Sequence, residues 1–374
     1  MTTHVFIVDS NTFKYHLEYM FAWTWAWNKY IDFNNIDTTN LHHSSENGLL
    51  WMIADGSRIR INDLVIFYLQ QNSKEWINEW KFYWIFKVNN TLFLDNNNNE
   101  QFLKNELNKS LTFRVKIEPY HVYENWITEW EALDEIKNIQ APSQMLWSLI
   151  YRKLKANRGN TMITLYESDR LVNLIRNKNQ RKILEWNNFS FNREEEKIIT
   201  TENNLEYNWW IEDINILPRL IKKFNKKNQF ETHLQAYILK NIENLVFLNN
   251  ENIEWIWNEV SCWVGMQRID IMLSVSWENR KVIPIELKST EAYVNIKFQI
   301  QRYIDWIEQY YVSNYPSDIE PIIISRKIEN KNSKKYIELI NMFNEFNDIN
   351  NILPLRYVEF EIIENNIIFI EINY

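Results

Sequence analysis

Glycine is nearly missing from this chain, with 4 residues in 374. So few cannot build a Gly-rich phosphate loop or a dinucleotide fingerprint, which argues against a P-loop NTPase or a Rossmann enzyme. Cysteine occurs once, at Cys262, so there is no internal disulfide and no cysteine-rich zinc site. No apolar run approaches the length of a membrane span. The opening Met1-Thr-Thr-His4 lacks the basic-then-apolar layout of a signal peptide. Positive charge is also in short supply: the net charge of −8 argues mildly against indiscriminate nucleic-acid binding. These shortages predict a soluble cytoplasmic protein without a membrane partner.

The chain is 45% hydrophobic and 24% charged, and its length suits two or three domains with ample core. Asparagine and isoleucine are abundant, which we read as genome bias. Tryptophan is frequent, at 18, and most of these side chains belong in a core. Basic residues cluster locally. Between Tyr151 and Lys182, Arg152, Lys153, Lys155, Arg158, Arg170, Arg176, Lys178, Arg181 and Lys182 face only Glu167 and Asp169, nine against two. Arg219, Lys222, Lys223, Lys226 and Lys227 form a second cluster. Each suits a phosphate-facing patch, although a solvated helix face accounts for either one alone.

Three blocks follow from the patterning. Residues 1–177 carry short alternating strands (His4 to Val8, Leu64 to Leu69, Phe82 to Val88, Leu111 to Ile117). They end in helical periodicity, with a capping box expected from Thr164 and Glu167. This predicts a small, mostly antiparallel β-barrel with flanking helices. Residues 178–227 are polar and charge-dense and read as a connector. Residues 228–374 run helix, three strands, helix, strand, with a terminal hairpin through Glu364-Asn-Asn366, which predicts an α/β layer sandwich.

One constellation in the third block carries chemistry. Arg268-Ile-Asp270 places an acid in an apolar run, and Pro284-Ile-Glu286-Leu-Lys288 places an acid and a lysine two apart in the next. Residues i and i+2 of a strand share a face, so Glu286 and Lys288 point the same way. If the two strands pair as a hairpin, all three side chains converge. Two carboxylates hold a hard divalent cation, and a lysine beside them can orient or deprotonate a water. That is equipment for metal-assisted phosphodiester hydrolysis. A buried strand rarely ends in charge without a reason.

With Glu231 on the preceding helix and Gln299-Ile-Gln-Arg-Tyr303 on the following one, the block resembles the PD-(D/E)XK nuclease superfamily. Within it, the likeness is to the RecB-type nuclease domain of the NucS/EndoMS group and to restriction endonucleases. The resemblance implies an αβββαβ restriction-endonuclease-like core. It implies Asp270 and Glu286 as Mg²⁺ ligands, with Mn²⁺ able to substitute, and Lys288 as the water-positioning or charge-stabilising group. It also implies Glu231 as an outer ligand or second base, and Gln299 and Tyr303 as phosphate or supporting contacts. Arg268 is carried over as a DNA contact. His233, on another helix face, reads as structural or as a DNA contact.

The first block resembles PUA-like domains of the EVE/YTH kind. The resemblance rests on His4-Val-Phe-Ile-Val8, on Arg58-Ile-Arg60-Ile-Asn62-Asp63-Leu-Val-Ile-Phe-Tyr68, on Leu146-Trp-Ser-Leu-Ile-Tyr151 and on Arg158-Gly159. Asn62 stands where that family has glycine, and asparagine is the side chain best able to accept a left-handed turn there. Such domains hold a flipped or modified base between aromatics. Trp23, Trp25, Trp27, Trp51 and Trp84 are candidates for the stack, Asp55 for reading a base edge, and Lys155 and Arg158 for the adjacent phosphate. The combined expectation is a homodimeric, Mg²⁺-dependent endonuclease on double-stranded DNA, of type II-like restriction character, sequence-specific or modification-dependent. The alternatives are a mismatch or repair nuclease, and a non-catalytic reader of modified nucleic acid.

Overall fold

The computed structural model describes residues 1–23, 33–34, 43–70, 79–95, 101–108, 110–144, 160–226, 229–248, 251–262, 267–276 and 279–374, apart from the side chains at 43–44 and 84–85. The chain divides into two compact units: Met1–Thr39 with Ile59–Ile214, and Asn40–Arg58 with Asn215–Tyr374. Helix α1 (Ser10–Glu18) lies in the first unit and helix α2 (His43–Ser57) in the second. Among the described residues no helix is long and apolar enough to cross a membrane.

The first unit is a mixed sheet. Its path runs β2 (Phe21–Ala22), β6 (Phe113–Pro119), β4 (Lys81–Val88), β3 (Leu64–Leu69), β1 (Thr3–Val8), β8 (Asn160–Ile163). Short strands β5 (Phe93–Leu94) and β7 (Ile127–Thr128) pair with β6 and β4. Among the described strands only β1 with β3 is parallel, which leaves the sheet mostly antiparallel. β1 is buried along its whole length because both of its faces are covered. Val5 and Ile7 meet Leu171 and Ile175 of helix α3 (Leu165–Lys178), whereas Phe6 packs on Trp23 and Phe67. The Thr164–Glu167 capping box opens α3 as expected. Asn62 adopts a φ of 74°, the left-handed turn expected of it. Asp63 then ties the turn down by accepting the Thr2 and Arg60 backbone N–H groups at 2.8 and 2.9 Å.

The boundaries differ from the expected ones at two places. Residues 178–214 are not a bare connector but part of the first unit. Strands β9 (Phe189–Asn192) and β10 (Lys197–Thr200) form a hairpin there. Phe191 lies 4.7 Å from Phe13 and 5.6 Å from Tyr83, ring to ring. Tyr207 donates to Asp95 at 2.6 Å. The second difference is α2, which lies between β2 and β3 of the first unit in sequence yet belongs to the second unit.

The second unit has the sheet order β11 (Ile253–Ser261), β12 (Arg268–Ser276), β13 (Arg280–Leu287), β15 (Ile322–Arg326), β16 (Arg356–Ile363), β17 (Asn366–Ile372), with β14 (Asp318–Ile319) beside β13. The first three strands form an antiparallel meander. β15 and β16 continue parallel to β13, and β17 closes antiparallel through Glu364 and Asn365, at φ 47° and 62°. Helices α4 (Leu217–Asn225) and α5 (Glu231–Lys240) precede the meander. Helix α6 (Ile296–Ile307) follows β13 and buries Ile300, Tyr303, Ile304 and Ile307, and helix α7 (Lys334–Ile349) buries Leu339, Met342, Phe343 and Phe346. In chain order the core therefore runs helix, three strands, helix, strand.

Candidate active site

The β12–β13 ladder runs from Ser276↔Arg280 to Ile271↔Ile285 and stops. One step further the Asp270 side chain replaces the missing backbone partner, and its Oδ2 accepts the Leu287 N–H at 2.7 Å. Asp270 and Glu286 are opposite in this register, so their side chains share one face of the sheet. Glu286 is 1% exposed. Its two carboxylate oxygens are held by different groups: Lys288 Nζ donates to Oε1, and the Tyr303 hydroxyl stands 2.6 Å from Oε2. Gln299 Nε2 donates to that hydroxyl at 2.7 Å. Lys288, Glu286, Tyr303 and Gln299 thus form one hydrogen-bonded cluster at the carboxyl end of β13, and Asp270 is anchored beside it on the Leu287 N–H.

Glu231, the first residue of α5, reaches the cluster from the side. Its Oε1 accepts from both the N–H and the hydroxyl of Ser289 at 3.2 Å. Two supporting residues were not anticipated. Gln235 donates to the Asp270 carbonyl at 2.9 Å and to Glu259 at 3.1 Å, and Glu259 accepts from Arg268 at 2.8 Å. Gln235 stands four residues after Glu231, on the same helix face, which is the spacing that could have revealed it. The Arg268 guanidinium is engaged with Glu259, while its backbone carbonyl lies 2.7 Å from the Tyr303 hydroxyl.

The electrostatics follow from crowding like charges in a dry place. Burial, and then the charges of Glu286 and Glu259, push the Asp270 carboxyl well above the carboxylate range. Burial likewise raises Glu286, and the Lys288 and Tyr303 contacts only partly offset it. Burial pulls the Lys288 ammonium down, but Glu286, Asp270 and Glu231 outweigh it and hold its pKa above the ordinary value. Two carboxylates that repel each other are relieved by a divalent cation. Mg²⁺ commonly takes one or two protein carboxylates and completes its shell with water and substrate phosphate. Asp270 and Glu286 fit that demand, and Mn²⁺ shares the oxygen preference. Among the described residues no cluster of three or more His, Cys, Asp or Glu is placed to hold a metal.

Other expected site residues are placed elsewhere. Asp55 is turned into the protein. It is 5% exposed on α2, and its Oδ1 accepts from Arg58 and from Asn258 of β11, each at 3.1 Å. A carboxylate committed to a buried guanidinium is structural, and it belongs to the second unit. Trp23 is fully buried, 6.0 Å from the Phe6 ring and 6.3 Å from the Phe113 ring, and serves as core. Trp51 is 55% exposed on α2, in the second unit. Trp25, Trp27, Lys155, Arg158 and the Trp84 side chain lie outside the described residues.

His233 is buried and faces Glu46 at 3.3 Å, which rules it out as a DNA contact. The two basic clusters are partly spent on the protein itself. Arg170 pairs with Glu135 and Lys178 with Glu131, while Lys223 pairs with Glu46 and Arg219 is buried beside it.

No family model matches this chain, and no curated protein matches it. Among solved structures the chain is similar to the human THYN1 protein, in a crystal structure with DNA containing 5-methylcytosine. That likeness has 10% identity and a TM-score of 0.25, and covers 46% of this chain and 97% of the other. A likeness of that size assigns neither fold nor ligand.

Proposed function

We propose that this protein is a Mg²⁺-dependent DNA endonuclease whose active site is the Asp270–Glu286–Lys288 cluster. The observation that carries this reading is the end of the β12–β13 ladder. There Lys288 donates to Glu286, and Asp270, opposite Glu286 in the register, accepts the Leu287 backbone N–H, at the end of a strand that is apolar from Val282 to Ile285. Asp270 and Glu286 would hold the cation. When bound, Mg²⁺ lowers the pKa of water and polarises a phosphoryl oxygen. Lys288, kept as a cation by the acids around it, stabilises negative charge gathering on the phosphate under attack. Tyr303 and Gln299 fix the orientation of Glu286, and Glu231 fixes the Ser289 backbone beside Lys288.

The first unit takes the role of DNA reader, as a PUA-like domain. The sequence resemblance alone supports that assignment. Restriction of DNA, sequence-specific or dependent on a modified base, is the biological role that joins a reader to a cutter. A cut in both strands requires two such sites, hence a homodimer on duplex DNA. Incubation with modified and unmodified genomic DNAs and Mg²⁺, followed by end-sequencing, tests the reading. Asp270→Ala, Glu286→Ala and Lys288→Ala are expected to abolish cutting while DNA binding survives. Normal cutting by the Glu286→Ala protein removes the assignment. Cutting confined to a mismatch-containing duplex selects a repair nuclease instead, and binding without any cutting selects a non-catalytic reader.

A further inference from the structure

Past Lys288 the chain leaves β13 and, with the end of β15, lines a cleft of about 560 Å³. The cleft begins two residues past Lys288 in the chain. Ser289, which holds Glu231, precedes Thr290, and the Thr290 carbonyl accepts the Arg326 backbone N–H at 3.1 Å. Three cations reach the cleft: Arg326, Lys327 and Lys335. Two of them are spent, since Lys327 sits 2.7 Å from Glu361 and Lys335 pairs with Glu291. The other acid on the rim, Glu329, is 83% exposed and 4.0 Å from Lys327. Arg326 differs. It is exposed, and its guanidinium lies 4.8 Å over the Phe224 ring. Among the described residues no carboxylate lies within ion-pair distance of it.

A guanidinium stacked on an aromatic face is stiffened while its edge donors stay free, and that fork matches two oxygens of one phosphate. Thr290, exposed and backbone-bonded to Arg326, adds a hydroxyl donor to the same lining. We propose that Arg326, with Thr290, binds a backbone phosphate of the DNA strand next to the one cut at Asp270 and Glu286. The cleft would then be the subsite that seats the strand. This rests on the nuclease reading, and it makes Arg326 a positioning residue.

The test uses the full chain with a fluorescent duplex oligonucleotide. Binding is followed over a salt series without divalent cation, and cutting is followed with Mg²⁺. Arg326→Ala is expected to reduce the slope of log affinity against log salt by about 0.9, the signature of one lost phosphate contact. It should also slow cutting at least about tenfold. Arg326→Lys keeps the charge and should restore the slope but not the rate. Lys334→Ala removes an equal charge from a side chain 89% exposed on the same unit and should change neither. An Arg326→Ala protein with the wild-type slope and rate overturns the inference and leaves the nuclease reading standing. A wild type that neither binds nor cuts the duplex overturns both. A wild type that binds without cutting overturns the nuclease reading, and the slope still decides the phosphate contact.

Discussion

Asp270 on β12 accepts the Leu287 backbone N–H of β13 at 2.7 Å, one residue beyond the last paired rung of the two strands. The bond fixes where the carboxylate sits, and among the described residues no other side chain or N–H donates to its second oxygen. It also imposes a cost, because the acid is then held against Glu286, and burial with that charge raises its pKa.

Asp270→Asn should separate placement from charge. The amide oxygen still accepts from Leu287, and the repulsion disappears. A carboxyl whose folded-state pKa is raised contributes stability below its unfolded value and loses it as pH rises through the folded value. The metal-free wild type is therefore penalised at pH 8, and the variant is expected to be more stable there by about 1 kcal/mol. Mg²⁺ should raise the melting temperature of the wild type more at pH 8 than at pH 5.5, and that of the variant hardly at all. Thermal unfolding with and without Mg²⁺ at the two pH values measures both. A metal response that survives in the variant speaks against Asp270 as a ligand.

The Tyr303 hydroxyl has one proton and two acceptors, Glu286 Oε2 at 2.6 Å and the Arg268 carbonyl at 2.7 Å. When Glu286 is protonated it donates to Tyr303, which then serves Arg268. When Glu286 is ionised it accepts the tyrosine hydrogen bond in place of Arg268. Tyr303→Phe removes this exchange and leaves one oxygen of a carboxylate that is 1% exposed unsupported. The expected cost is about 1–3 kcal/mol in urea unfolding, with cutting slowed about 10- to 100-fold. An unchanged Mg²⁺ dependence in this variant would show that Tyr303 only fills space.

What could be read from the sequence was local and periodic. Asp270, Glu286 and Lys288 stand out because charge interrupts an apolar run, and a strand period places them on one face whatever surrounds them. The Asn62 turn and the Thr164 cap are short-range as well, set by φ preference and by a side chain three residues away. What was missed is non-local. Asp55 looked like a loop acid because its partners are far off in the chain: Asn258 is 203 positions away. Residues 178–214 looked like a connector because charge outweighs hydrophobicity there, yet Phe189, Phe191 and Tyr207 suffice to dock the segment. The alternating Phe189-Ser-Phe191 was the readable sign of that strand.

The Asp55–Arg58–Asn258 cluster makes a prediction about binding as much as stability. Arg58 is 0% exposed and donates to both partners. Asp55→Ala leaves that guanidinium short of its counter-charge and should cost about 3–5 kcal/mol. At a temperature where the variant stays folded, its DNA affinity should match the wild type. A selective loss of affinity for a modified base, with stability intact, would return Asp55 to a reading role.

Helix α2 is fixed to the second unit by a further buried group, and acid should loosen it. Glu46 on α2 lies 2.6 Å from Lys223, 3.8 Å from Arg219 and 3.3 Å from His233. Burial opposes its charge, but the hydrogen bonds from His233 and Lys223 win and hold its pKa down to about 2. A carboxyl with a depressed folded-state pKa contributes stability above its unfolded value, and loses it as pH falls through the folded one. The window is therefore about 4.5 down to about 2. His233 acts in the same direction: burial lowers its pKa, so the folded state prefers it neutral and loses stability as it is forced to charge. Glu46→Gln keeps the shape and removes the charge, and at pH 7 it should cost about 3 kcal/mol. The gap between wild type and variant should narrow steadily from pH 5 toward pH 3, as the wild type loses what the variant never had. Urea unfolding across that range measures the gap. A difference that stays constant with pH would mean that the carboxylate contributes through packing alone, and that ionisation does not fasten α2 to the helix carrying Glu231.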